Sequence, residues 1–145
     1  MNTNKHDQPS NICNCANIRR ASRAITQFYN DLLAPSGLKV TQYSLLSHIR
    51  RLGPLTMNEL SQAIHLERTT LVRNLKPLEK LGFIAIAAEK NAQARQITIT
   101  EKGLKSLEAA FPHWNKAQQV LQELIPENEL QIFMGTLQKI ESLVP

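Results

Sequence analysis

The sequence predicts a mainly α-helical chain of the α+β class whose only sheet is a small β-hairpin. Three observations predict it. Apolar residues recur at helical spacing along most of the chain. After Gly82 that period gives way to alternation, in Phe83-Ile84-Ala85-Ile86 and again in Gln96-Ile97-Thr98-Ile99-Thr100. Pro35-Ser36-Gly37, Gly53-Pro54 and Gly82 punctuate the helical stretches. At 145 residues the chain is expected to form one domain, 1–145.

The elements follow in order. Residues 1–11 are polar and read as a flexible arm. A first helix runs from about Ile12 to Leu33, with Ile18, Ala21, Ile25, Phe28 and Leu32 at helical spacing. Thr41 is placed as the cap of a second helix, whose apolar positions are Tyr43, Leu45, Leu46 and Ile49. Thr56-Met57-Asn58-Glu59 is a capping box, in which hydroxyl and carboxylate each accept from the other residue's amide. The short helix it opens is expected to turn Leu60, Ala63 and Ile64 inward. After a turn at His65-Leu66, a helix from about Glu67 to Leu81 carries Leu71, Leu75 and Leu78 as one buried stripe. The polar segment Glu89 to Arg95 joins the two strands, with residues near Leu55 a candidate extension of the sheet. Glu101 to about Leu124 is helical with a bend expected at Pro112, and Pro126 starts a last helix through Leu143.

The net charge is +5, and its distribution is uneven. Through Lys80 there are eleven Lys/Arg against five Asp/Glu; from Leu81 onward there are six against seven. The positive charge thus belongs to the first half, which favours an acidic partner there, although a solvated face can cluster charge as well. No apolar run approaches a membrane span and no segment directs export, so a cytoplasmic location is expected. His6, His48, His65 and His113 are scattered, and neither a Gly-rich phosphate loop nor a metal motif occurs. An enzyme, a metal site and a cofactor are therefore not expected.

Two short helices joined by a tight turn form a helix-turn-helix, whose second helix fits the major groove of DNA. With Leu71, Leu75 and Leu78 inward, that helix presents Arg68, Thr69, Val72, Arg73 and Lys76, with Thr70 near the buried edge. Arginine can fork onto guanine, threonine can touch a phosphate or a thymine methyl, and lysine suits phosphates. The hairpin that follows completes a winged helix-turn-helix over residues 38–100. A protein-interaction module is the alternative. Steep salt dependence would mark the DNA reading and weak dependence the other.

The stretch from Leu55 to Gly103, LTMNELSQAIHLERTTLVRNLKPLEKLGFI and then RQITITEKG, resembles the multiple-antibiotic-resistance regulator (MarR) family. NIRRASRAITQFYNDLLAPSGLKVTQYSLL resembles that family's first two helices. The resemblance implies a homodimer with residues 12–34 and 101–145 as dimerisation helices. It also implies two winged lobes that read a pseudo-palindrome in double-stranded DNA as a transcriptional regulator, with repression expected. One departure lies in the wing, where Asn91, Ala92 and Gln93 stand in place of the family's Asp-Arg-Arg. Lys90 and Arg95 remain to supply charge there, so the wing contact is expected to be weaker than that of the recognition helix.

Cys13 and Cys15 cannot staple a fold of this size. Similarity to the organic hydroperoxide resistance regulators makes Cys15 a candidate peroxide sensor. A helix N-terminus and Arg19 one turn on favour a thiolate, which oxidises to a sulfenic acid and then a disulfide. Tyr29 matches that subgroup, whereas Arg19 and Val40 replace tyrosines. The other reading keeps Cys15 as a small apolar interface residue. Relatives in the family bind small aromatic acids between the dimerisation helices and the DNA-binding lobe, which makes Arg23, Tyr29 and His48 candidates for a ligand pocket.

Overall fold

A computed structural model describes residues 13–88, 91 and 94–145, and among them it forms six α-helices, a 3₁₀ turn and a three-stranded sheet. The predicted 1–11 arm and Lys90 of the hairpin loop lie outside the described residues.

Helix α1 spans Asn14–Leu33 and ends in a 3₁₀ turn over Ala34–Ser36, closed by Gly37 at φ 78°. Helix α2 spans Val40–Leu52, and its N-cap is Lys39, two residues before the expected cap at Thr41. Its first amides are satisfied from elsewhere. Lys39 N–H donates to Gln42 Oε1 at 3.0 Å, and Val40 N–H donates to Asn30 Oδ1 of α1 at 2.8 Å. A bond from α1 thus adds to the local one from Gln42, and it ties α2 to α1.

Strand β1, Leu55–Thr56, leads into α3, Met57–Ile64. The capping box forms as read. Glu59 N–H donates to Thr56 Oγ1, and Thr56 N–H to Glu59 Oε2, each at 3.2 Å. Leu60 is fully buried and Ile64 partly so, whereas Ala63 is exposed, which corrects the inward face expected for α3. His65 closes α3 in the left-handed region at φ 55°, and Ser61 Oγ spans the turn by donating to Leu66 O at 2.5 Å. Helix α4 follows at Arg68–Lys80.

Strands β2, Ile84–Ile86, and β3, Gln96–Ile99, pair antiparallel, and β1 adds to the far side of β3. The register sets Ile84 opposite Ile99 and Leu55 opposite Ile97, which turns Leu55, Ile84 and Ile97 into the core. Helix α5, Glu101–Leu124, passes through Pro112 as one element. Helix α6, Glu127–Glu141, ends two residues short of the expected Leu143.

The core is a single, mostly aliphatic cluster shared by the sheet and α2–α5, with Leu33 from the end of α1. Leu46, Ile49, Leu60, Leu71, Leu75, Leu78 and Ile97 are almost completely buried there, each worth about 1.5–3 kcal/mol of transfer free energy. The terminal helices differ. Among the described residues α6 buries none, and Ile132, Phe133 and Met134 face outward.

Candidate nucleic-acid interface

Helix α4 is anchored along one side by Leu71, Leu75 and Leu78, spaced so that all three meet the core. At about 100° per residue, Thr69, Arg73, Lys76 and Lys80 lie roughly 140–200° round from Leu71, a polar and basic stripe opposite the leucines. Thr69, Arg73 and Lys76 are exposed, as is Arg68 on the flank, while Thr70 and Val72 are half-buried at the two edges. The structure therefore brings six of the residues singled out in this helix onto one surface. Lys80 extends the stripe by one turn. The helix begins at Glu67 without a side-chain cap, and its last turn carries Lys80. A cation there complements the helix dipole.

The wing is built on β2 and β3. Ala87 N–H donates to Gln96 O at 2.9 Å, one step beyond the paired strands, and Ala94 N–H donates to Asn91 O at 3.0 Å in the loop. Arg95 is exposed immediately before β3. It stands as the wing's cation among the described residues, and Lys90 lies outside them.

Away from that surface, α2 and α5 enclose an open cleft of about 520 Å³, walled by Tyr43, Ser47, Arg50, Leu107, Glu108, Phe111 and Trp114. Tyr43 stacks on Trp114 with centroids 5.3 Å apart, and Phe111 tilts against Trp114 at 5.9 Å. Burial holds the Tyr43 phenol above its ordinary value of 10.0, against the opposing pull of a Ser47 hydrogen bond and Arg50. The cleft thus offers flat aromatic walls with a guanidinium at its edge. None of Arg23, Tyr29 and His48 is among its walls. Tyr29 is buried and donates its hydroxyl to Gln118 Oε1 of α5, which ties α1 to α5. Burial raises its pKa as well. His48 Nδ1 donates to Ser44 O one turn back at 2.7 Å, and Arg23 is exposed on α1. The cleft escaped sequence reading because its two sides lie some sixty residues apart.

Cys13 and Cys15 are both free and exposed, Cys13 at the N-cap of α1 and Cys15 in its first turn. Among the described residues no group of three or more His, Cys, Asp or Glu side chains could hold a metal ion, and no helix is long and apolar enough to cross a membrane.

A family model described as MarR family matches residues 36–95, the part that runs from α2 through α4 and β2 to the residue before β3. The transcriptional regulator MosR of M. tuberculosis shares 32% identity and a TM-score of 0.77, over 92% of this chain and 98% of that one. A second MosR structure, in complex with DNA, gives 34% identity and a TM-score of 0.79 over 92% of this chain and all of that one. The chain belongs to the MarR family. This MarR protein is accordingly a transcriptional regulator rather than an enzyme. An uncharacterised HTH-type transcriptional regulator of Bacillus subtilis (strain 168), YwoH, is 29% identical over 63% of this chain and 66% of its own length. The aligned part therefore spans just under two thirds of that relative. The winged lobe read from the sequence is the lobe of this MarR fold, with one more strand than the hairpin alone.

Proposed function

We propose that this MarR protein is a repressor that binds a pseudo-palindromic operator as a homodimer and releases it in response to an oxidant or a small ligand. The observation that carries the reading is the α4 surface. Arg68, Thr69, Arg73 and Lys76 stand exposed on a helix whose opposite side is sealed into the core, so their orientation is fixed before DNA arrives. Such a helix suits the major groove, with Arg73 forking onto guanine and Lys76 meeting a phosphate. Thr70 and Val72, at the edges, suit a phosphate and a thymine methyl. The MosR complex with DNA supports duplex DNA as the partner. Arg95, with Lys90, is the wing's contribution, and it is smaller than that of Arg73.

Dimerisation is supported by the uncovered apolar residues of α1, α5 and α6, among them Ile18, Ile25, Phe111, Ile132 and Phe133. A second copy would cover them. Two signals fit the chain. Cys15, exposed at the start of α1, can be oxidised to a sulfenic acid by an organic hydroperoxide. The Tyr43–Trp114 cleft, rimmed by Arg50 and Glu108, suits a planar aromatic ligand, and Arg23, Tyr29 and His48, which stand outside its walls, remain candidates for a separate pocket. Either signal acts by favouring a lobe spacing that the operator does not match.

A gel-shift of the purified chain on DNA from its own upstream region, with and without organic hydroperoxide, tests the reading. Competitor-resistant binding that peroxide abolishes and thiol restores, and that Cys15→Ser makes insensitive, is the expected result. Binding that ignores peroxide removes the redox arm and leaves the ligand arm, and absence of competitor-resistant binding overturns the operator reading.

A further inference from the structure

The C-terminal end of α4 is gripped by the first turn of α5. Three consecutive carbonyls leave that end, and each accepts from Thr100 or Lys102. Leu81 O takes the Lys102 ammonium at 2.9 Å, Gly82 O takes the Thr100 hydroxyl at 2.6 Å, and Phe83 O takes the Thr100 amide at 3.0 Å. Thr100 also caps α5, since its Oγ1 accepts from Gly103 N–H at 3.1 Å. The Lys102 Nζ lies 5.6 Å from the centre of the Phe83 ring, within cation–π range. The approach is close. A Cβ on Gly103 would stand 2.1 Å from the Phe83 carbonyl oxygen and 2.9 Å from Ile99 Cγ1. Residue 103 must therefore be glycine for α5 to sit this near the turn.

Farther along, α5 carries Trp114, stacked on Tyr43, and Gln118, bonded to Tyr29. One continuous helix of 24 residues thus links the end of α4 to the aromatic cleft and to α1. We propose that Lys102 is a positioning residue, which sets the recognition helix α4 against α5 and, through it, the spacing of the two α4 helices on DNA. The proposal rests on the dimeric DNA reading above. Thr100 serves two masters, capping α5 and closing the turn, so its loss would disturb the helix itself. Lys102 is exposed and makes its bond to α4 without any part in the core, which makes it the cleaner probe.

The test compares Lys102→Met, which keeps the aliphatic stem, with Lys102→Arg, which keeps a cationic donor. Affinity for duplex DNA from the upstream region is measured across salt concentration, alongside duplexes with one base pair inserted or deleted at the centre of the site. Lys102→Met is expected to bind the native site roughly three- to tenfold more weakly, the effect of one solvent-exposed hydrogen bond. Its salt slope stays as in the wild type, its preference for native spacing narrows, and Lys102→Arg recovers both. Amide exchange at Leu81, Gly82 and Phe83 is expected to quicken in Lys102→Met and not in Lys102→Arg. A salt slope shallower by about 0.9 for each protomer would make Lys102 a phosphate contact and overturn the proposal. Unchanged affinity or unchanged exchange would overturn it too. Should the wild type show no competitor-resistant binding, the DNA reading falls by itself, and the exchange measurement still decides whether Lys102 holds α4.

Discussion

The winged lobe and the terminal helices are both amphipathic, yet only the lobe closes its apolar side within one chain. Helix α4 sends three leucines into a dry core, whereas α6 has no buried residue among those described and α1 buries only Tyr29 and Leu33. The lobe's buried leucines anchor α4 and so set where its outward side chains point. Helix α5 joins that core through Leu107 and Ala110, whereas Ile18 and Ile25 of α1, Phe111 of α5 and Ile132 and Phe133 of α6 stay exposed. On the dimer proposed above, stability and assembly rest on different regions of the same sequence, and substitutions should separate them.

The largest effect is expected at Leu75. Leu75→Ala removes a side chain packed at the centre of the lobe and should cost about 2–5 kcal/mol in denaturant unfolding at any protein concentration. Phe133→Ser on α6 should cost less at high dilution and instead weaken association, shifting the dimer–monomer midpoint in sedimentation by roughly tenfold or more. If both variants lost the same stability at all concentrations, the division between lobe and terminal helices would be wrong.

A smaller effect lies at the seam between the two regions, where Tyr29 and Tyr43 sit with phenols raised above 10.0 by burial. Their native forms keep the proton where the unfolded chain has lost it. The unfolded state then binds fewer protons, so stability falls as pH rises through 10 and beyond. Tyr29→Phe should lose about 1 kcal/mol near neutral pH with the Gln118 bond, and should show a shallower alkaline decline. A wild-type unfolding profile flat to about pH 11 would contradict the burial of these phenols. The smallest expected effect is at His65, which holds φ 55°. His65→Gly relieves the left-handed strain while loosening the unfolded chain, leaving a change within about 1 kcal/mol and the recognition helix unmoved in its exchange pattern.

The same division explains what could be read in advance. Within the lobe, signals are local. Leu71, Leu75 and Leu78 repeat at helical spacing, Thr56 and Glu59 cap their own helix, and the alternation after Gly82 marks the wing. What escaped depends on distant partners. The α2 helix starts ahead of Thr41 because Gln42 accepts from the Lys39 amide and Asn30, on another helix, accepts from that of Val40. Ala63 was turned inward by periodicity alone, and a small side chain on so short a helix leaves that choice to packing. The cleft needs α2 and α5 side by side, and Lys102 gains its meaning only when α5 meets the end of α4. The exposed stripe of α4 was legible because burying three leucines dictates where the remaining side chains point.

The most direct test of the central claim follows the salt dependence of binding to upstream DNA for the wild type and Arg73→Ala. Phosphate neutralisation by two α4 helices predicts a log–log slope steeper than about −4, and Arg73→Ala should cost about 1–3 kcal/mol of affinity while relaxing discrimination at one base pair in each half-site. A shallow slope, with Arg73→Ala indistinguishable from the wild type, would contradict the account and turn the α4 surface toward a protein partner.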